Sequence, residues 1–424
     1  MAYCGYITTV KELRKHTNAD RLQIATIFGN DVIVDMNVSV GDLGVYFPTD
    51  GKLSEEYALT NELTRETGGY LDDAKRHVRA IKLRGERSDG LYMPLDSLSN
   101  FTDISSLKEG DTVTTLNGVL ICEKYIPYRK PTNTYEHTKK NHEVKNEFPY
   151  FEEHIDTSQL AYNLDAFKEG DICYITLKLH GTSQRTAYTI KESNTKLYNL
   201  FNRIGVKIPK KKKWKHKTGT RRVILDNFEG GFYGSNKFRE EWHDFFKDKL
   251  QKGEEIYYEV VGYADCDKLI MPECSNLKTK DKDFIREYGE TTRFIYGCGV
   301  GQSDIYVYRM TMTNEDGHVV EYPTELTRLR CEQMGVKFVP VLDKFIFTTK
   351  EDLLERVSLY ESGADPIGKT HIREGVIVRI ENGQRFTALK HKNFHFKVIE
   401  GIIKDTGTLD IEEAQSSFEE VTNG

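Results

Sequence analysis

One stretch limits what this chain can become: Asp171-Ile-Cys-Tyr-Ile-Thr-Leu-Lys178-Leu-His180-Gly181-Thr182-Ser183-Gln184-Arg185. Its apolar run has the length of a buried strand. A lysine then stands where the pattern would place another wall residue, and a glycine forces the chain to turn. Side chains alternate along a strand, so Thr176, Lys178 and His180 are expected on one face and Leu177 and Leu179 on the other. A lysine at the end of such a strand loses hydration, and desolvation disfavours the charged form of an amine. An amine kept partly neutral can attack a phosphorus or carbonyl centre. The plain alternative is a strand-end lysine reaching solvent, the usual fate of lysine. Lys-x-x-Gly alone does not choose between them.

The rest of the chain sets bounds. Its 424 residues leave room for about two or three domains. With 38 % hydrophobic and 30 % charged residues the composition is that of an ordinary soluble protein. A net charge of -6 excludes a uniformly basic surface, so any nucleic-acid contact must come from local patches. The seven cysteines are scattered and none forms Cys-x-x-Cys, which argues against a disulfide framework or a zinc knuckle. The sequence shows no signal peptide and no long apolar run, so no membrane role is expected and a reducing cytoplasm is.

Residues 1–125 read as a small β-domain of short alternating runs: Leu22–Phe28, Val32–Met36, Leu43–Phe47, Val78–Leu83 and Gly90–Met93. Many short strands with little helix fit an OB-type barrel. Arg76, Arg79, Lys82, Arg84 and Arg87 lie close together in sequence; they suit a phosphate backbone, with a solvated strand face as the alternative. From residue 126 to 170 turn formers and charge replace the apolar pattern, as in a linker docking on the next domain. His137 and His142 there have no further ligand nearby, so a metal site is not expected.

Beyond the lysine stretch comes Lys210-Lys-Lys-Lys-Trp214-Lys-His-Lys217. Clustered cations around an indole suit a nucleic-acid strand, with Lys211, Lys213 and Trp214 as contacts. An exposed loop is the simpler reading of such a run. Arg221 and Arg222 lead into an expected strand ending at Leu225. Asn236–Leu250 reads as a helix packing Phe238, Trp242, Phe245 and Phe246 into a core. Strands are expected at Glu255–Gly262, Arg293–Gly297, Asp304–Met312, Phe338–Val341, Arg373–Val378 and Phe386–Phe394. Helices are expected at Thr324–Met334 and Lys350–Glu361. Residues 405–424 form an acidic tail.

Glu259, Glu374, Lys390 and Lys392 are charges in runs that otherwise read as buried strands, where a charge must be paired or bind a ligand. Lys390 and Lys392, two apart, project to one face. With Arg221 and Lys178 they would make a cationic bowl for a triphosphate. Adjacent carboxylates suggest a divalent metal held largely by water. Tyr296, at the end of an apolar run, is a candidate to lie on a purine face.

Lys178-Leu-His-Gly181, the Arg221 segment, Glu259, Phe294-Ile-Tyr296, Glu374-Gly-Val-Ile and Lys390-His-Lys392 fall in the order of the motifs of covalent nucleotidyltransferases. The chain resembles that superfamily of DNA ligases, RNA ligases and mRNA capping enzymes from Met1 to about Val398. Lys-Leu-His-Gly-Thr-Ser, with histidine third, looks like the RNA ligases. An OB-like domain placed before the catalytic domain is similar to the Deinococcus-type nick-sealing enzymes. The resemblance implies an α+β protein: an N-terminal OB-like β-barrel (1–125), a linker (126–170) and a mixed α/β nucleotidyltransferase domain with antiparallel sheets (171–404).

It also implies roles. Lys178 would attack the α-phosphorus of ATP to give lysyl-AMP, with Lys390, Lys392 and Mg2+ or Mn2+ assisting at the phosphate. Glu374 would hold metal-bound waters, and Glu259 the ribose or the metal's hydration shell. Arg221, or its neighbour Arg222, would bind phosphate; Tyr296 would stack on adenine; His180, Gly181 and Ser183 match the phosphate-positioning segment. The RNA partner would be a nicked duplex or a broken strand with 3′-hydroxyl and 5′-phosphate ends. One departure is Leu177, where many relatives carry glutamate before the lysine. The rival expectations are a GTP-dependent guanylyltransferase of the same superfamily and a non-catalytic OB-type RNA-binding protein.

Overall fold

The computed structural model describes residues 3–127, 147–225, 227–229, 233, 235–381 and 385–406. The turn-rich part of the expected linker, with His137 and His142, lies outside the described residues, as does the acidic tail past residue 406. By their contacts the segments form two units. One joins Met1–Pro127 with Cys274–Thr291 and Lys392–Thr408; the other joins Tyr128–Glu273 with Thr292–His391.

In the first unit Leu43–Phe47 pairs antiparallel with both Gly5–Thr9 and Leu91–Pro94. Leu22–Ile27 pairs with Glu12–Lys15 and with Asn30–Asp35. Phe28 and Gly29, both at positive φ (50° and 75°), close the latter hairpin; two left-handed residues match the right-handed twist of the strands they join. Ile7, Val45, Phe47, Leu53 and Tyr57 form a buried core. The strand expected over Val78–Leu83 is broken at Arg79: His77–Val78 pairs with Gly51–Leu53, whereas Ala80–Leu83 pairs with Glu86–Asp89. At this switch point Asp405 Oδ2 accepts from the Arg79 guanidinium at 2.7 Å, and His77 Nδ1 lies 3.1 Å from Oδ1.

The second unit is built on two sheets. The first runs in the order Ser158–Gln159, Thr387–Lys392, Gly375–Ile380, Ile172–Lys178, Val341–Ile346. Cys173, Ile175, Val376 and Val378 pack under it with Phe345 and Leu353. In the second, Lys211–Gly219, Thr182–Ser193, Glu254–Asp265, Ser303–Thr313 and Val319–Glu321 follow one another. Phe148 and Phe151 seat the chain before residue 158 on this sheet, against Ala187 and Ile224. With helices Lys237–Phe246, Thr324–Met334 and Lys350–Tyr360 the architecture is α+β with antiparallel sheets. Among the described residues no helix is long and apolar enough to cross a membrane.

In the second unit, too, expectations differ from the structure, and the strand expected at Phe338–Val341 is split between Lys337–Phe338 and Val341–Ile346. Of the basic run at 210–217, for which a loop was the simpler alternative, residues 211–217 lie in the strand Lys211–Gly219, paired in register with Thr182–Ser193. Arg221–Leu225 forms no strand beyond the isolated bridge between Gly219 and Ile224. Arg293–Gly297 is a loop: Tyr296 and Gly297 both have positive φ (51° and 77°), which ends any extended run.

Helix Lys237–Phe246 buries Phe238 and Phe246 and turns His243 toward the second sheet, where its Nδ1 lies 2.9 Å from Thr218 Oγ1. Burial, aided by the Lys247 charge, pushes this imidazole from 6.5 down to about 4. Between those values the unfolded chain binds a proton that the folded chain refuses, so stability falls as pH drops from 6.5 toward 4. Urea unfolding at pH 7 and pH 5 is expected to show this loss, and a smaller one for His243→Gln.

Candidate active site

Lys178 closes a strand that runs antiparallel between Gly375–Ile380 and Val341–Ile346. The register sets Lys178 opposite Gly375, so Glu374 stands just past the paired residues at the same end of the sheet. Its Oε1 lies 2.7 Å from Lys178 Nζ; the glutamate side chain is 2 % exposed and the lysine 21 %. The apolar approach to Lys178 therefore ends at a buried carboxylate, and the pair offsets a desolvation cost of several kcal/mol per ion.

After Lys178 the chain turns tightly. A Cβ on Gly181 would stand 2.4 Å from the Val260 carbonyl oxygen and 2.9 Å from Glu259 Cγ, so only glycine fits. Ser183 then pairs in register with Glu259, and its Oγ donates to Glu259 Oε2 at 3.2 Å. His180 lies beyond the strand end. Its backbone N–H donates to Tyr296 Oη at 2.7 Å, and its ring meets Phe294 edge to face at 4.6 Å.

Tyr296 is only 3 % exposed, with its ring against His371 at 4.7 Å. Burial, with Asp365 adding to it, holds its hydroxyl well above the ordinary tyrosine value. A ring so enclosed has no open face for a purine; Tyr296 braces the turn after Lys178 from beneath.

A cleft of about 750 Å³ adjoins the lysine. Lys178, Ser183, Glu259 and Arg221 supply charged and polar lining, and Tyr308, Phe338 and Phe386 the aromatic part. Tyr308 was missed in the sequence. It sits in the strand Ser303–Thr313, where Arg309 pairs with Tyr257 and Val307 with Tyr258, leaving Tyr308 as the extra residue of a bulge. Bulges re-aim side chains. The available signal was two tyrosines two apart, Tyr306 and Tyr308, flanking Val307 in that strand.

Arg221 and Arg222 share one carboxylate: Asp156 Oδ1 is 3.4 Å from Arg221 Nη1, and Oδ2 is 2.8 Å from Arg222 Nη2. A side-chain hydrogen bond with His154, then the two guanidinium charges, hold the Asp156 carboxyl well below the usual range. Lys390 is half-buried and in register with Gln159; it follows the cleft-lining Ala388 by two residues and so shares its face. Lys392 belongs by its contacts to the first unit, where its amine pairs with Glu400 at 2.8 Å.

Of the expected RNA contacts, Arg79 is held by Asp405, and Arg84 is exposed at a positive φ of 49°. Lys211 and Lys213 are exposed on the second sheet. Trp214 is half-buried, with Tyr188 edge-on at 5.8 Å and Lys252 over its ring at 5.9 Å. Among the described residues no group of three His, Cys, Asp or Glu is placed to hold a metal alone.

A family model described as an OB-fold domain matches residues 5–95. No curated protein matches the chain. Solved structures do. A Naegleria gruberi RNA ligase mutant with AMP and Mn is similar at TM-score 0.58 and 15 % identity, over 93 % of this chain and 97 % of that one. Another mutant of that ligase, with ATP and Mn, gives TM-score 0.58 and 15 % identity over 93 % and 98 %. The same ligase with PPi gives 0.57 and 16 % over 92 % and 97 %. The chain thus has an N-terminal OB-fold domain and an α+β fold like that of these RNA ligases.

Tyr296→Phe removes the acceptor of the His180 N–H and leaves that donor unsatisfied. A loss of about 1–3 kcal/mol in urea unfolding is expected.

Proposed function

We propose that this chain is an ATP-dependent RNA ligase that joins a 3′-hydroxyl to a 5′-phosphate through lysyl-AMP and RNA-adenylate intermediates. The observation that carries the reading is the Lys178–Glu374 pair, 2.7 Å apart, beside a cleft with aromatic and acidic lining. The fold it shares with Naegleria gruberi RNA ligases, one bound to AMP and Mn, supports it. The OB domain ahead of the catalytic unit favours the Deinococcus-type class and nicked duplexes as substrate. A cytoplasmic setting is part of the same proposal.

In this reading Lys178 Nζ attacks the α-phosphorus of ATP; an N–P bond forms and the bond to pyrophosphate breaks. The amine must first shed a proton to water, and Glu374 Oε1, 2.7 Å away, holds the nitrogen in place. Ser183 and Gly181 shape the turn that holds the phosphates, and His180 is fixed there through its backbone by Tyr296. Lys390 opposes the charge developing at phosphorus. Arg221 exchanges Asp156 for a phosphate oxygen, with Arg222 keeping the carboxylate. Tyr308 offers the purine a ring face, in place of Tyr296. The AMP then passes to an RNA 5′-phosphate, and the 3′-hydroxyl displaces it.

A divalent ion fits the donors present, since Mg2+ is commonly held by one or two carboxylates together with waters and substrate phosphates. Glu374 and Glu259 would hold it, Mg2+ or Mn2+, and it would supply neutralisation of phosphate charge.

Labelled ATP is expected to mark the wild-type protein covalently and to leave Lys178→Ala unmarked; label from GTP alone would favour a guanylyltransferase. Glu374→Ala and Lys390→Ala are expected to lower sealing of nicked RNA by orders of magnitude, as losses of transition-state stabilisation do. Near-normal sealing by both would contradict the assignment. Tyr308→Ala is expected to raise the ATP concentration for half-maximal labelling well above that of wild type.

A further inference from the structure

The strand Lys211–Gly219 ends the order of its sheet and, among the described residues, pairs only with Thr182–Ser193. Its alternate residues divide the cations by face: Lys211, Lys213, Lys215 and Lys217 on one, Lys212, Trp214 and His216 on the other. Several neighbouring lysines are already engaged. Lys191 pairs with Glu147 at 2.7 Å and Lys210 with Glu192 at 3.3 Å. Lys212 donates to the Glu315 carbonyl at 3.1 Å, and Lys217 lies over the Phe148 ring.

Lys211, Lys213 and Lys215 differ. All three are exposed, and none of their amines has an ion-pair or hydrogen-bond partner among the described residues. Three like charges follow one another at a spacing of about 7 Å, in a chain with a net charge of -6. Lysines also keep an edge strand from recruiting another strand. That role does not need bare amines, whereas here Glu147 and Glu192 pair with Lys191 and Lys210 and leave the row uncompensated.

We propose that Lys211, Lys213 and Lys215 form a comb that grips the phosphate backbone of the RNA at a distance from the joined ends. The proposal rests on the RNA ligase reading above. An evenly spaced row of cations on an extended strand matches a repeating row of phosphates and carries no base preference. Trp214 takes no part as a stacking platform, because it faces the other way, into Tyr188 and Lys252. In register, Lys215 lies opposite Thr189 and Lys211 opposite Ser193, on the strand that begins at the cleft with Thr182 and Ser183. The rise of a strand puts the comb about 20–33 Å from Ser183. Along an A-form RNA duplex that lies well beyond the fourth base pair from the nick.

The test compares wild type, the triple Lys211/Lys213/Lys215→Gln and the triple →Arg, binding a long nicked RNA duplex by fluorescence anisotropy over a range of salt. Each phosphate contact contributes roughly 0.7–0.9 to the slope of log affinity against log salt. The Gln triple is expected to bind more weakly with a slope shallower by about 2–3, the Arg triple to keep the wild-type slope, and the difference to vanish on a duplex of about four base pairs either side of the nick. An unchanged slope for the Gln triple, an equal loss in both triples, or no RNA binding by wild type would overturn the comb. Covalent labelling of wild type by ATP reads the ligase assignment separately: label with an unchanged slope sinks the comb alone, and absence of label sinks the underlying reading.

Discussion

An ion pair fixed by strand register is the interaction on which the rest of the site depends. Antiparallel pairing puts Lys178 across from Gly375, so the preceding residue must fall beside the amine. Glu374 is buried at 2 % exposure, and breaking such a pair from either side leaves an uncompensated charge in the interior at a cost of about 3–5 kcal/mol. Stability and chemistry therefore draw on the same contact. In the proposed ligase reading, the carboxylate that holds the amine in place also sets the direction from which it attacks.

Around this pair the turn is built from parts that tolerate little change. Gly181 lies against the Val260 carbonyl, Ser183 reaches Glu259 across the second sheet, and Tyr296 holds the His180 N–H from below. These contacts join the end of one sheet to the beginning of the other. The lysine is thus oriented by backbone geometry on both sides rather than by its own flexible stem. The strand that begins at this turn runs on to residue 193, and its far half carries the basic edge strand. One hairpin links the reactive end of the cleft to the densest positive charge in the sequence.

Much of this was legible in the residues. Glu259, Glu374, Lys390 and Lys392 stood out, beside Lys178, because charges in apolar runs need a reason; Glu259 and Lys178 line the cleft and Glu374 pairs with Lys178, whereas Lys392 pairs with Glu400. Helices Thr324–Met334 and Lys350–Tyr360 followed from their periodicity nearly to the residue. What was not legible depended on tertiary context. Arg293–Gly297 has the composition of a strand, yet positive φ at Tyr296 and Gly297 turns it into a loop, and Tyr296 is buried as a result. Tyr308 faces the cleft only because a bulge re-aims it, and no local pattern announces a bulge. The basic run became a strand because a partner strand lies alongside, while its charge argued for a loop. Asp156, which holds both arginines, comes from a segment whose composition gave no hint of a site.

The central claim is that the amine beside Glu374 becomes covalently bonded to a nucleotide. Peptide mapping by mass spectrometry, after incubation with ATP and a divalent ion, tests it most directly. The account predicts one added AMP, on the peptide that contains Lys178 and at that residue. Protein that remains unmodified, or that carries the nucleotide on a different side chain, would contradict it.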